Sequence, residues 1–243
     1  MWIAGRNPIM EALKNERNID VLYIKHGEGE GSIKKIIALA RERKIRIKEV
    51  DKKKIEELAQ GQLHQGVVAE VPDYRYHDLE QVLRSVREKG EEPFFIILDE
   101  IEDPHNLGAI IRTAEGAGAH GVIIGKRRSA SVNATVEKTS AGAVSFLPVI
   151  RVGNIARTIE RLKKENIWVY ALDMEGGCSY ETDLRGSIAL LIGNEGKGVS
   201  RLNKELADKV ISLPMKGRIS SLNASVAAGI LMYEILRQRG LSS

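Results

Sequence analysis

The sequence predicts an α/β protein: a C-terminal, mostly parallel sheet with helices on both faces, preceded by a small N-terminal α/β domain. Three observations predict it. From Phe94 onward the runs FFIILDE, GVIIG, WVYALD, IALLIGN and KVISLP are almost continuously apolar, as strands buried on both faces must be. Helical patterns at 107–118, 155–164, 201–207 and 222–237 separate them, supplying the crossovers that parallel strands need. The chain has 243 residues, 43% of them hydrophobic, which is enough for more than one core.

In chain order, the first block alternates on a shorter period. It reads as a helix at 8–14, a strand at 21–25, a helix at 33–43, a strand at 45–50, a helix at 53–59 and a strand in GVVAEV. Between Arg6 and Val71 it holds 14 Lys and Arg against 11 Asp and Glu, concentrated in KKIIALARERKIRIK and DKKK. Such a run serves equally as a solvated helix face or as a surface for an anion. PDYRYHDLEQVLRSVREKGEEP then turns Pro-started and charge-rich with one amphipathic helix, which predicts a domain at 1–72, a linker at 73–92 and a second domain at 93–243.

Composition narrows the function classes. A formal charge of +4 and a pI near 9.1 permit an anionic partner such as RNA without requiring one. A single cysteine, Cys178, excludes an intrachain disulfide and a Cys-rich zinc site, and five scattered histidines lack metal-ligand spacing, so no metal is expected. No apolar run reaches the roughly 18 residues of a membrane span, and MWIAGRNPIMEAL lacks the order of a signal peptide, so a cytoplasmic protein is expected. With 5% aromatic residues, extensive base stacking is not expected; Tyr74 and Tyr76 are the linker's candidate stackers.

Ligands of parallel sheets sit beyond the carboxyl ends of strands, which directs attention to three loops. After FFIILDE comes a turn, Asp103 to Asn106, opening a helix whose apolar face is Leu107, Ile110, Ile111 and Ala114. Asn106 reads either as that helix's cap or as a site residue, and Arg112 lies outside the apolar stripe. The GxGxxG at 116–121 ends a helix instead of opening one, so it is a turn and not a dinucleotide site. After IALLI, GNEGKGVS has Val199 where a P-loop needs lysine, leaving a glycine turn that carries Glu195. After KVISLP, the stretch KGRISSLNAS offers Ser220 or Ser221 as a helix cap. Three such loops after three strands point to a composite site.

DPHNLGAIIRTAEGAGAHGVII, LLIGNEGKGVS and ISLPMKGRISSLNASVAAGILMYE resemble, in order and spacing, the three motifs of the SpoU (TrmH-type) RNA ribose 2'-O-methyltransferases of the SPOUT superfamily. GRNPIMEAL and LHQGVVAEV resemble the small L30e-like substrate-binding domain of the 23S ribosomal RNA guanosine 2'-O-methyltransferases. The resemblance implies a C-terminal trefoil knot, a homodimer, ribosomal RNA as partner and S-adenosyl-L-methionine as cofactor. It places the family's motif residues on Asn106, Arg112, Glu195 and Asn223, and cofactor contacts on Gly193, Leu213 and Leu222, with Leu172, Asn194, Met215 and Ser220 nearby.

Methyl transfer to a ribose hydroxyl asks chiefly for alignment of oxygen, carbon and sulfur. Leu213, Met215 and Leu222 supply apolar walls, and Arg112, always protonated, suits a phosphate clamp better than a base. Within the class the alternative substrate is transfer RNA or another ribosomal nucleotide. Outside it, a noncatalytic RNA-binding ribosome-assembly protein would need no cofactor, and a nicotinamide enzyme would need its glycines before a helix.

Overall fold

A computed structural model describes residues 1–14, 18–28, 30–218 and 221–240. The chain divides into two compact units, Met1–Tyr74 and Arg75–Ser243.

The first unit is a four-stranded sheet ordered β1-β4-β2-β3, from β1 (Trp2–Ala4), β2 (Val21–Lys25), β3 (Arg46–Val50) and β4 (Val67–Glu70). Only β2 and β3 run parallel; β4 is antiparallel to both β1 and β2. Alternation along the strands sorts its two faces. Leu22, Ile24, Val67 and Ala69 pack with Ile9 and Leu13 of α1 (Arg6–Lys14) and Ile33 and Ile36 of α2 (Ser32–Glu42). Val68 faces the other way, onto Ile55, Leu58 and Ala59 of α3 (Lys52–Ala59). The three-residue β1 is too short for a period to announce it.

In the second unit six strands, all parallel, run in the order β10-β8-β9-β5-β6-β7. They are β5 (Phe94–Asp99), β6 (Gly121–Gly125), β7 (Val149–Val152), β8 (Trp168–Cys178), β9 (Ile188–Gly193) and β10 (Lys209–Ser212). On one face Phe95, Ile97, Ile123, Ala189 and Leu191 pack with Ile159 and Leu162 of α7 (Ile155–Lys164). On the opposite face lie α5 (Pro104–Gly116) and α9 (Ala224–Arg239), whose Ile110, Ile111, Leu231, Met232 and Ile235 are buried. Beside β7, the six-residue α6 (Ala134–Thr139) is also absent from the sequence reading, both being short elements whose apolar positions are few.

The helix expected within the linker forms as α4 (Leu79–Glu88), capped by Asp78, but it does not link. Its Val82, Leu83 and Val86 lie in the same core as Phe95 and Ile159, and His77 bridges to β7 at Ile150. Three buried aliphatic residues at helical spacing hold it there, because leaving them in water would cost about 1.5–3 kcal/mol each. Tyr76 is similarly engaged: its hydroxyl accepts from Val132 N at 3.0 Å and the Arg151 guanidinium lies 5.1 Å over its ring. That ring face is unavailable for a base.

β8 and β10 pair out of step. Val210 sits opposite Ala171, but Ile211 sits opposite Gly177, so residues 172–176 stand out from the ladder at the carboxyl edge. Lys204 of α8 (Arg201–Leu206) braces this bulge through Asp173 at 3.0 Å and Glu175 at 3.3 Å.

Candidate active site

The carboxyl ends of the strands carry the loops singled out in the sequence. Asp103, not Asn106, caps α5, accepting from His105 N at 2.9 Å with Pro104 in the first turn. Asn106 is thereby spared and is buried at 7% exposure. Likewise Asn223 caps α9, its Oδ1 accepting from Ser225 N at 3.0 Å and Val226 N at 3.3 Å. Ser221 has no such role, and Ser220 lies outside the described residues.

These two asparagines meet. Asn223 Nδ2 donates to Asn106 Oδ1 at 3.0 Å, and Asn106 Nδ2 donates to Glu195 Oε1. Asn223 Nδ2 also lies 3.5 Å from Glu195 Oε1. A single network therefore ties the first turn of α5, the loop after β9 and the start of α9. Its polarity is ordered: the backbone of α9 donates to Asn223, Asn223 donates to Asn106, and both amides donate to the carboxylate.

The turn bearing Glu195 requires glycine at its base. A Cβ on Gly193 would stand 2.1 Å from Gly198 C and Val199 N, inside any permissible contact. Asn194 and Gly198 exchange backbone hydrogen bonds of 3.1 and 2.8 Å across the turn. The Asn194 side chain completes it, accepting from Gly196 N at 2.9 Å and Lys197 N at 3.3 Å and donating to Glu100 O at 3.0 Å. Asn194, expected beside the cofactor, thus spends its polar groups on building the turn.

Leu172 follows Ala171 of β8 and Leu213 follows Ser212 of β10, at the carboxyl edge of the strands nearest β9. Both are half-buried, and Met215 and Leu222 are 38% and 37% exposed. These four apolar side chains are held partly in water at or just beyond the strand ends. Among the described residues no cluster of three His, Cys, Asp or Glu offers a metal site.

Arg112 stands apart from the network. It is exposed on α5, about 9 Å of helix rise below Asn106, with no hydrogen bond or ion pair to any described residue. A guanidinium left with all its donors is equipped to take a phosphate.

Two residues the sequence reading passed over help hold the loops. Asp99, 5% exposed, accepts from Ser200 N at 2.8 Å. Glu100, with a left-handed φ of 58°, lends its carbonyl to Asn194 and its carboxylate to Arg128 Nη1 at 2.9 Å. A positive φ outside glycine leaves no mark in sequence, so only the acidic pair ending β5 hints at either role.

A parallel sheet covered on both faces, with loops gathered at its carboxyl edge, is the architecture of a class, the α/β proteins that bind ligands at that edge. Comparison with known proteins gives the class its chemistry. Residues 93–233 match the SpoU rRNA methylase family, and residues 2–77 match the family described as RNA 2'-O ribose methyltransferase substrate binding. YacO of Bacillus subtilis, assigned by name to the TrmH family of tRNA/rRNA methyltransferases, is 46% identical over 98% of this chain and 96% of its own. The SpoU methyltransferase AviRb from Streptomyces viridochromogenes, solved with AdoMet, superposes with a TM-score of 0.72 at 28% identity, over 98% of this chain and 89% of that one. An AdoMet-bound rRNA methyltransferase from Sinorhizobium meliloti gives 0.69 at 27% identity, over 100% and 88%. The chain belongs to the SpoU/TrmH family of RNA methyltransferases. It is an RNA ribose methyltransferase, and its cofactor is S-adenosylmethionine. No described helix is long and apolar enough to cross a membrane.

Proposed function

We propose that the protein methylates the ribose 2'-hydroxyl of a guanosine in 23S ribosomal RNA, in the cytoplasm, acting as a homodimer. The observation that carries the site assignment is the Asn106–Glu195–Asn223 network, which gathers three separate loops at one edge of the sheet. An RNA substrate is favoured by the first unit's match to a substrate-binding family, and a ribosomal one by the near full-length likeness to an rRNA methyltransferase. In this reading residues 1–72 form the L30e-like domain that holds the RNA.

The cofactor, when bound, supplies an electrophilic methyl on sulfonium sulfur. The chain's task is to place the ribose oxygen in line with that methyl and to accommodate loss of the hydroxyl proton. Gly193 admits a ligand close to the backbone, while Leu172, Leu213, Met215 and Leu222 wall the adenine, with Ser220 at the same loop. Arg112 clamps the phosphate beside the target ribose, Asn106 orients the nucleotide, and Glu195 and Asn223 hold the loops in register.

The C-terminal segment completes this site as a trefoil knot. The match of residues 93–233 to the SpoU family supports it, and β10 lies tightly against β8 on the way, a Cβ on Gly176 standing 2.5 Å from the backbone of Ile211. For the homodimer, Val226, Ile230 and Tyr233 form an apolar stripe along α9 at 50%, 36% and 53% exposure, spaced as one helix face.

The deciding experiment maps ribose methylation by mass spectrometry on RNA from cells with and without the protein. Loss of one mark from 23S RNA is the expected result. An unchanged ribosomal map with a mark lost from transfer RNA would move the substrate there. Calorimetry with S-adenosylmethionine complements it, since absence of binding would leave only an RNA-binding role.

A further inference from the structure

The loop after β6 reads Lys126-Arg127-Arg128, and all three residues are exposed, as is Arg151 of β7. Four cations thus stand on the same edge of the sheet as the active site, beginning one strand away from β5. The sequence reading left this run unassigned, and none of its residues belongs to the Asn106–Glu195–Asn223 network.

The loop is unusually well pinned for a solvent-facing segment. Lys126 N donates to Val152 O at 2.9 Å, Ala130 N to Ile101 O at 2.8 Å, and Val132 N to the Tyr76 hydroxyl at 3.0 Å. Arg128 adopts a left-handed φ of 53°, a conformation costly for a residue with a side chain, and its guanidinium reaches Glu100 at 2.9 Å. Arg151 lies across the Tyr76 ring with its Nη2 3.5 Å from Lys126 O. Lys126 and Arg127 carry no hydrogen bond or ion pair from their side chains to any described residue. Like charges fixed side by side raise the local positive potential, and an anionic chain laid across them is attracted to it.

Glu100 makes the geometry specific. Its carboxylate holds Arg128 and its carbonyl holds Asn194, so one residue joins the basic loop to the turn beneath Glu195. We propose that Lys126, Arg127 and Arg151, in a loop latched by Arg128 to Glu100, form a track for the RNA phosphates flanking the ribose being methylated. The inference rests on reading this sheet edge as the methyl-transfer site, and it adds where the RNA strand runs: across the carboxyl ends of β5, β6 and β7.

The test measures binding of a fluorescein-labelled single-stranded RNA of about 30 nucleotides across a potassium chloride series, with wild type and K126A/R127A. Each phosphate contact on single strands contributes about 0.7 to the slope of log affinity against log salt, so the variant slope should fall by about 1.4. Affinity at about 0.1 M salt should drop roughly 20- to 30-fold. Calorimetric S-adenosylmethionine affinity should stay within about twofold, because neither side chain touches the cofactor loops. K89A/K164A, exposed lysines at the opposite edge, serves as the control and should leave the slope unchanged. An unaltered slope in K126A/R127A, or an equal loss in K89A/K164A, overturns the track while leaving the enzyme reading intact. A wild type that shows no salt-dependent RNA binding would overturn the placement of RNA on this edge altogether.

Discussion

At the carboxyl ends of the six strands, a side-chain network across separate segments stands beside cations that have no partner among the described residues; at the amino ends the long polar side chains that close α9 are spent largely on the backbone. The first edge carries Asn106, Glu195 and Asn223 in mutual contact and leaves Lys126 and Arg127 open to solvent. At the second, Arg239 donates to the carbonyls of Glu92, Pro93 and Gly186 and lies 5.0 Å over the Phe94 ring. Gln238 there donates to Thr182 O at 3.1 Å and accepts from Leu184 N at 2.8 Å. His120 accepts from Phe94 N at 3.0 Å and faces Glu91 at 2.9 Å. Side chains committed to backbone carbonyls and amides fix the chain's course, while exposed donors left over are free for ligands. Substitutions at the two edges should therefore separate activity from stability.

The largest effect belongs to Gly193→Ala. The new Cβ meets backbone at 2.1 Å, which no rotamer change relieves, so the turn must open. S-adenosylmethionine affinity should fall at least about 100-fold, or about 2.7 kcal/mol, by calorimetry. Gly196→Ala, three residues on, meets only Asn194 Oδ1 at 3.5 Å and should bind the cofactor normally. Equal behaviour of the two variants would refute the need for glycine at the base of this turn.

At the opposite edge Arg239→Ala should cost about 2–3 kcal/mol in urea unfolding while leaving cofactor affinity intact, because three carbonyls lose a charged donor. A variant of normal stability with weakened cofactor binding would erase the distinction between the edges.

Asn223→Asp sharpens the comparison within one residue. Aspartate keeps the oxygen that caps α9 but loses the amide donor and sets a carboxylate against Glu195. Stability should change by less than about 1 kcal/mol, whereas turnover on RNA should drop about tenfold or more. Asn223→Ala, losing the cap as well, should add about 1 kcal/mol of destabilisation.

Much of this contrast was legible beforehand, unevenly. Strands β5, β6 and β9 announced themselves because burial on both faces leaves no room for polar residues, whereas β8 and the edge strand β10 showed through short apolar runs. Helix α4 was foreseen as a helix but not as core, since amphipathicity says that a face is buried and not against what. The composite site emerged from Gly and Asn recurring after three strands, and the family motifs singled out Asn106, Glu195 and Asn223. Which residue caps which helix did not emerge: Asp103 and Asn106, or Ser220, Ser221 and Asn223, satisfy the same local rule until tertiary contacts choose. Glu100 and Arg128 stayed hidden because their roles depend on backbone angles that glycine would advertise and they do not.

The smallest effect tests the amino edge by pH. Glu234, buried on α9, accepts from Arg237 Nε at 2.9 Å and Nη2 at 2.8 Å and from Gln238 Nε2 at 2.7 Å. Its hydrogen bonds to Arg237, then to Gln238, lower its pKa from 4.5 to about 2. A carboxyl group that is more acidic in the folded chain stabilises it fully above 4.5, and this stabilisation drains away as pH falls toward 2. Because Arg237 is 68% exposed, water screens the pair and the contribution is on the order of 1 kcal/mol. Glu234→Gln should therefore be less stable than wild type by about that amount at pH 7 and indistinguishable from it near pH 2, measured by urea unfolding. A difference that stayed constant across that range would assign the loss to packing and not to the carboxylate. Activity at pH 7 should be unchanged either way, since Glu234 serves the edge that holds the chain and not the edge proposed to hold the RNA.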